Sequence, residues 1–200
     1  MTAEDYAIVL DFLPQGRSGG FKPTPLAQVI GTQFFTLLEV VPKQGISLKP
    51  FDKVYVGKEE RKEVEFIKRR INFSELTNAS QAELDKVIES IVLERKPDFI
   101  KFFNESRPIS LKRHQLDLLP GIGQKHVQEL LKARQEKPFE SFEELGQRIP
   151  LMPNILKAVI KRIVDELDEI DRYYLFVRPP AQERFEGPEG RGYGRPFRRY

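Results

Sequence analysis

The residues best suited to chemistry lie near the middle of the chain, in the stretch Leu116 to Lys132, LDLLPGIGQKHVQELLK. Two apolar-periodic segments, predicted to be helices, flank a turn made of Pro120, Gly121, Ile122 and Gly123. Glycine has no Cβ and tolerates positive φ, so such a turn can expose its backbone amides to another molecule. Gln124 and Lys125 follow at the positive end of the second predicted helix. The stretch therefore predicts a site for an anion, phosphate above all, without acid or base catalysis.

The sequence LPGIGQK resembles the helix-hairpin-helix element, a unit that binds the sugar-phosphate backbone of nucleic acids without sequence specificity. The resemblance implies that Ile122 is an apolar peg that fixes the turn between its helices. It also implies a monovalent cation site at the backbone carbonyls of Asp117, Leu119 and Ile122. The competing interpretation is an ordinary corner between two helices, or a hairpin that serves only protein contacts.

The charge of the chain is more informative when it is located. The formal net charge is only +3, and the segment from Arg178 to Tyr200 carries all of it. A second excess of basic residues, between Arg95 and Gln115, lies directly before the glycine turn and includes Lys112 and Arg113. Both cations fall at the predicted start of a helix, where they are electrostatically unfavourable, which suggests another role. Nucleic acid is the partner that such local excesses favour.

Little in the composition supports an enzyme. The chain has no cysteine, so disulfides, thiolate nucleophiles and cysteine-based zinc sites are excluded. Its two histidines, His114 and His126, have no partners at metal-ligand spacing, and each is interpreted as a surface or hydrogen-bonded histidine. No phosphate-cradling GxxxxGK occurs. We expect no enzymatic activity and no cofactor. The N-terminus lacks a basic leader and no apolar run is long enough for a membrane span, so we expect a cytoplasmic protein without membrane contact.

The first 71 residues are predicted to form strands. Apolar and β-branched runs occur at 6–13, 26–41, 54–56 and 64–71, with turn residues between them and a bend at Gly31. A short antiparallel sheet of this kind protects its edges by closing, which favours an OB-like β-barrel. Four residues could form a binding face on it, although aromatic residues in strands more often belong to the core: Phe34, Phe35, Lys53 and Tyr55.

Beyond residue 71 the pattern becomes helical. Residues 72–110 are predicted to form a helical connector, with a capping box at Ser80 to Glu83, a helix that ends before Pro97 and a shorter helix at 98–104. Residues 111–172 are predicted to form a domain of two tandem hairpins. In the second hairpin Leu151 and Pro153 replace the two glycines, so we expect this turn not to present its backbone as the first does. Its last helix carries Lys157, Lys161 and Arg162, which could contact the opposite strand.

Two segments complete the chain. Residues 173–178 are predicted to be a return strand that pairs with the barrel or its edge. Residues 179–200 are rich in Arg, Gly and Pro and are predicted to be disordered. In this tail Arg195, Arg198 and Arg199 are interleaved with aromatic residues, a pattern that favours RNA binding over a simple solubilising role.

Three stretches, at 52–71, 111–145 and 173–178, together resemble an archaeal family called domain of unknown function 655, over roughly residues 3 to 178. The resemblance implies an α+β protein, with an OB-like N-terminal domain and a helix-hairpin-helix C-terminal domain whose second motif is degenerate here. It also implies nucleic-acid binding, with RNA favoured. The same architecture is similar to the junction-binding subunit of the bacterial branch-migration machinery, whose ligand is DNA.

These observations favour a nucleic-acid-binding protein, with RNA preferred over DNA. The residues expected to touch the ligand are Gly121, Ile122, Gly123, Gln124, Lys125, Lys112, Arg113, Lys157, Lys161, Arg195, Arg198 and Arg199. One alternative is an accessory protein of repair or recombination that binds structured or branched DNA. Another is an adaptor that contacts proteins of a ribosomal or repair complex.

Overall fold

The N-terminal part of the chain forms a single five-stranded antiparallel sheet in the computed structural model, which describes residues 4–17 and 24–179. The strands are β1 (Tyr6–Leu13), β2 (Leu26–Gly31), β3 (Leu37–Pro42), β4 (Lys53–Tyr55) and β5 (Val64–Arg70). Their order is β4-β1-β2-β3-β5. Bulges in the β1–β2 and β3–β5 pairs help the sheet to curl into a half-barrel. Within the described residues β4 and β5 do not pair, so the predicted barrel is not closed.

Both faces of the sheet are buried at its central strands, so β2 and β3 are inaccessible at every position, whereas the edge strand β5 is largely exposed. One face carries small and β-branched residues such as Val9, Val29 and Val40. The other face, with Ile30 and Leu37, shares one apolar core with the helices. The predicted binding residue Phe35 belongs to this core and is not on a binding face.

In the part of the chain that the structure describes, five α-helices follow the sheet: α1 (Asn78–Glu94), α2 (Lys96–Glu105), α3 (Gln124–Glu136), α4 (Phe142–Arg148) and α5 (Ile155–Leu167). The predicted capping box at Ser80 is wrong, because Thr77 is the N-cap of α1 and its side chain accepts the Ser80 N–H. Buried Gln28 of β2 accepts the Thr77 N–H and the Ser80 hydroxyl, so the sheet itself selects where α1 begins. None of the described helices is long and apolar enough to cross a membrane.

The segment before the glycine turn differs from its prediction. Residues 108–114 form a small hairpin of β6 (Pro108–Ser110) and β7 (Arg113–His114), and only Gln115–Leu118 are helical, as one 3₁₀ turn. Lys112 and Arg113 thus lie in a β-hairpin and not at the start of a helix. The helix dipole disfavours cations at the N-terminus of a helix, and the β-hairpin avoids this conflict.

The prediction of a return strand at residues 173–178 is also wrong. Residues 173–178 form no strand in the structure, although Arg178 donates one backbone hydrogen bond to Phe34 at 3.0 Å. Three consecutive amides, those of residues 175–177, instead donate to the buried carboxylate of Glu166 on α5. A side chain thus takes the place of a neighbouring strand.

Candidate nucleic-acid interface

The approach to the glycine turn is fixed by two side chains that cap the 3₁₀ turn. The imidazole Nδ1 atom of His114 accepts a hydrogen bond from the backbone N–H of Leu116 at 3.1 Å. The Asp117 carboxylate accepts one from the backbone N–H of His114 at 2.7 Å. Leu116, Leu118 and Leu119 then point into the core. These two side-chain caps and the three buried leucines fix the course of the chain into the glycine turn.

The cap depends on pH, because burial and the neighbouring Arg134 guanidinium lower the pKa of His114 below its ordinary value of about 6.5. The neutral imidazole accepts the Leu116 N–H, and protonation of Nδ1 removes that acceptor. The contribution of this cap to the free energy of unfolding is therefore complete above pH 6.5 and is lost as the pH falls through the lowered pKa.

We expect the wild-type protein to lose more free energy of unfolding between pH 7.5 and pH 5 than His114→Asn, whose amide oxygen caps without titrating. Urea unfolding at both pH values measures this, and equal losses would contradict it.

The turn itself has the geometry that its glycines predict. Gly121 adopts φ +81°, in the left-handed region that favours glycine, and Ile122 is buried as a peg should be. Gly123 is extended and is the N-cap of α3. A Cβ added to Gly123 would meet no protein atom within 4 Å, so this side of the turn faces open space.

Most amides of the turn have no hydrogen-bond partner among the described residues. Within that part of the chain, the Ile122 N–H is the one that bonds internally, to the Leu119 carbonyl at 3.0 Å. Within the described part of the chain, no hydrogen bond is donated by the backbone N–H groups of Gly121, Gly123, Gln124 or Lys125. These four residues are exposed. They form a row of donors at the positive end of the 13-residue helix α3, which is the arrangement that binds phosphate.

The turn between α4 and α5 lies against the glycine turn. The side chain of Pro153 is 3.4 Å from the point where a Cβ of Gly121 would stand. Leu151, thirty positions after Gly121, also has a left-handed backbone, with φ +57°. The expectation that its backbone could not follow the first turn is therefore wrong at this residue. Pro153 nevertheless has no N–H, so the second turn offers one amide fewer.

Ion pairing removes much of the positive excess that the sequence shows before the turn. Four of its six cations have acidic partners: Arg95 with Asp98, Lys96 with Glu143, Lys101 with Glu105 and Arg113 with Asp171. Arg113 also lies over the ring of Tyr173. Among the described residues, the basic side chains without an ion pair around the turn are those of Arg107, Lys112 and Lys125. These three define the local positive charge.

The basic residues predicted on α5 have different surroundings. Lys157 and Lys161 line a groove beside α1 that also contains Asp85 and Glu89, and Lys161 forms an ion pair with Asp165. Arg162 is buried and binds Glu166, Asp171 and two backbone carbonyls, so the idea that it contacts a nucleic-acid strand is wrong. The structure thus separates these three residues into two groove residues and one internal residue.

A cavity of about 220 Å³ lies beside the turn, and it was not predicted from the sequence. The β6–β7 hairpin forms one wall with Lys112, and the first turns of α3 form the other with Gln124 and Gln128. His114 and Asp117 lie at its base. The one signal in the sequence was the unfavourable pair of cations at 112–113.

The remaining predicted residues have mixed outcomes. Lys53 pairs with Glu94 at 2.6 Å, Tyr55 packs edge-on against Tyr6, and Phe34 stacks with Arg178. His114 Nε2 and His126 Nδ1 are buried without a hydrogen-bond partner in the described residues, so neither histidine is fully satisfied. The tail residues Arg195, Arg198 and Arg199 lie outside the described residues. Among the residues that are described, no group of His, Asp and Glu side chains could hold a metal ion. The carbonyl site at Asp117, Leu119 and Ile122 stays a prediction.

Comparison with known proteins identifies the family. A family model described as a protein of unknown function, DUF655, matches residues 3–178. The chain belongs to the DUF655 family. The resemblance drawn from the sequence is therefore confirmed.

DUF655 relatives come from archaea. The uncharacterized protein MJ0038 of Methanocaldococcus jannaschii is 38% identical over 178 residues, which cover 88% of this chain and 80% of that protein. The crystal structure of Af1531, a DUF655 protein from Archaeoglobus fulgidus, matches with a TM-score of 0.81 and 41% identity, over 88% of this chain and all of that one. The mixed fold of half-barrel and helices is thus shared within DUF655.

Proposed function

We propose that this protein binds the sugar-phosphate backbone of RNA without sequence specificity, through the turn from Pro120 to Lys125. The observation that carries the proposal is a set of four exposed residues at and just before the start of α3, Gly121, Gly123, Gln124 and Lys125, whose amides donate no hydrogen bond within the described residues. Three features of the site support phosphate as the ligand: the amides act as donors, the helix dipole is positive there, and Lys125 adds a full charge. Contacts of this kind hold the backbone and carry little information about base sequence.

The two adjacent turns are proposed to act as tandem helix-hairpin-helix motifs. Their left-handed residues Gly121 and Leu151 and the close contact between Gly121 and Pro153 support this view. The half-barrel is proposed to be an open variant of the OB fold that adds area through the exposed basic residues of β5, such as Lys68 and Arg70. In this proposal the groups that the protein binds are phosphates, and neither a cofactor nor a catalytic group takes part.

The function is tested by changing charge and shape at the turn separately. Lys125→Ala should weaken binding and lower the slope of log affinity against log salt by about one, because one fewer phosphate is neutralised. Lys132→Ala is the matched control: Lys132 lies two turns along the same helix, is exposed and has no ion pair in the described residues. Its slope should equal that of the wild type.

The shape test uses Gly123→Val. Residue 123 is extended and faces open space, so the protein tolerates a side chain there while an approaching phosphate meets it. We expect an affinity loss of about tenfold for every sequence tested, of the order of two lost backbone hydrogen bonds. Gly146→Ala, at another open position on α4, should leave binding unchanged.

The ligand class follows from a panel of single-stranded RNA, duplex RNA, duplex DNA and branched DNA at two salt concentrations. We expect RNA to bind best. Preference for branched DNA would support the accessory protein of repair or recombination. Absence of binding to all four at low salt would overturn the proposal in favour of the protein-contacting adaptor, and strand cleavage that requires Mg²⁺ would reveal an enzyme.

A further inference from the structure

Leu151 is in conflict with both its backbone and its surroundings. Its side chain is 92% exposed, although leucine is apolar. Its φ of +57° lies in the left-handed region, where Gly and Asn are favoured and a leucine is strained. A turn that needed only to connect α4 and α5 would be better made with glycine or asparagine. Local conflicts of this kind are expected where a residue serves a ligand.

The position of Leu151 says which ligand it would meet. The Pro153 side chain, two residues along, lies 3.4 Å from where a Cβ of Gly121 would stand, so the exposed Leu151 belongs to the turn that adjoins the glycine turn. Lys112 and Lys125 form no ion pair within the described residues and add positive charge beside the glycine turn. An apolar side chain beside a phosphate-binding row does not help to hold phosphate. It can, however, contact the faces of bases, which are the apolar part of a nucleic acid.

The two turns also differ in the backbone amides and side chains that they expose. The first offers amides and almost no side chain, because Gly121 and Gly123 have none and Ile122 is buried. The second lacks the amide at Pro153 and projects one large side chain, that of Leu151. The two adjacent turns therefore combine a backbone clamp with an exposed apolar side chain. Proteins that kink nucleic acid from the minor groove insert apolar side chains, leucine among them, between base steps.

We infer that Leu151 is a wedge that packs against an unpaired base, or enters an open base step, of the strand whose phosphates are held by the turn from Pro120 to Lys125. This inference rests on the proposed function and adds a preference to it. Because unpaired or bulged bases are already unstacked, the protein should favour helices with a bulge over fully paired helices of the same length. Sequence would matter little, since every base has an apolar face.

The test compares a hairpin RNA carrying one bulged 2-aminopurine with the fully paired hairpin of the same stem. The wild type should bind the bulged RNA about tenfold more tightly, the order expected for one base contact. It should also change the 2-aminopurine fluorescence. Leu151→Gly should lose the preference and the fluorescence change while keeping its affinity for the paired hairpin. Its unfolding midpoint should be equal to or higher than that of the wild type, because glycine relieves the backbone strain.

Phe51→Gly is the matched control, since Phe51 is also exposed and also has positive φ (+73°) but lies in the sheet domain. It should retain the bulge preference. Leu151→Asn, which suits the left-handed region, repeats the test if the glycine variant folds poorly. Equal bulge preference in wild type and both Leu151 variants would overturn the wedge, as would an equal loss on paired and bulged RNA. Lys125→Ala tests the proposed function independently, so the two failures are distinguishable.

Discussion

Replacing Glu166 with alanine is expected to destabilise the folded protein by about 3–5 kcal/mol, the usual cost of breaking a buried ion pair from one side. Glu166 is only 1% exposed. Its carboxylate accepts the Arg162 guanidinium at 2.8 Å and the amides of residues 175–177 at 2.8 to 2.9 Å. The variant leaves a buried cation and three amides without their acceptor. Urea unfolding monitored by far-UV circular dichroism measures the difference.

The same helix provides the control. Lys161 and Asp165 are also four residues apart on α5 and also form an ion pair, but the Lys161 side chain is 60% exposed. Lys161→Ala should change the free energy of unfolding by no more than about 0.5 kcal/mol, because exposed pairs contribute little. Similar losses of unfolding free energy in the two variants would contradict the expectation that burial makes the Glu166 ion pair costly to break. Hydrogen exchange at residues 175–177 should also accelerate in Glu166→Ala and stay unchanged in Lys161→Ala.

The second large effect is expected at Glu4, which organises the turn between β2 and β3. Its buried carboxylate accepts the amides of Gln33, Phe34 and Thr36 at 2.9 to 3.2 Å. Glu4→Ala should cost about 3 kcal/mol, since three amides lose a charged acceptor. Gly31→Ala should be similarly harmful, because its Cβ would stand 2.0 Å from the Glu4 side chain. Thermal and urea unfolding of each variant measure these losses.

The two substitutions should not be additive. Once Glu4 is truncated, the space beside Gly31 opens and the added methyl group no longer clashes. The double variant should therefore be more stable than the sum of the single losses implies, by at least about 1 kcal/mol. Gly146→Ala, in the middle of α4 and free of neighbours, is the control and should add independently. Additive losses for Glu4 and Gly31 would contradict the packing argument.

Much of the local structure was predictable because it depends on local chemistry. Strand β1 lies at the predicted residues 6–13, and the helix predicted to carry Lys157 and Lys161 is α5, since each has a clear apolar period and clear ends. Ser141 caps α4 by accepting the Glu144 N–H, an interaction between residues only three apart. The glycine turn and the buried Ile122 were also predictable, because the requirement for positive φ is a property of the backbone of one residue.

The errors concern residues whose role depends on distant partners. The start of α1 moved to Thr77 because Gln28, some fifty residues earlier, binds that end of the helix. The return segment has no strand because Glu166 supplies the acceptors that a strand would. The positive excess before the turn shrank because acids remote in sequence, Glu143 and Asp171, pair with its cations. A count of charges along the chain contains none of these distances.

The sequence by itself determined the family, the division into an N-terminal sheet and later helices, and the turn with the glycines at 121 and 123, because composition, period and backbone freedom are written residue by residue. Only the tertiary structure decided that the sheet is an open half-barrel, that Arg162 is internal, and that the turn containing the exposed Leu151 adjoins the glycine turn. The physical reason is that burial and ion pairing depend on which surfaces meet in space. Whether a given side chain packs in the core, forms an ion pair or contacts a ligand depends on the neighbours that the fold places beside it.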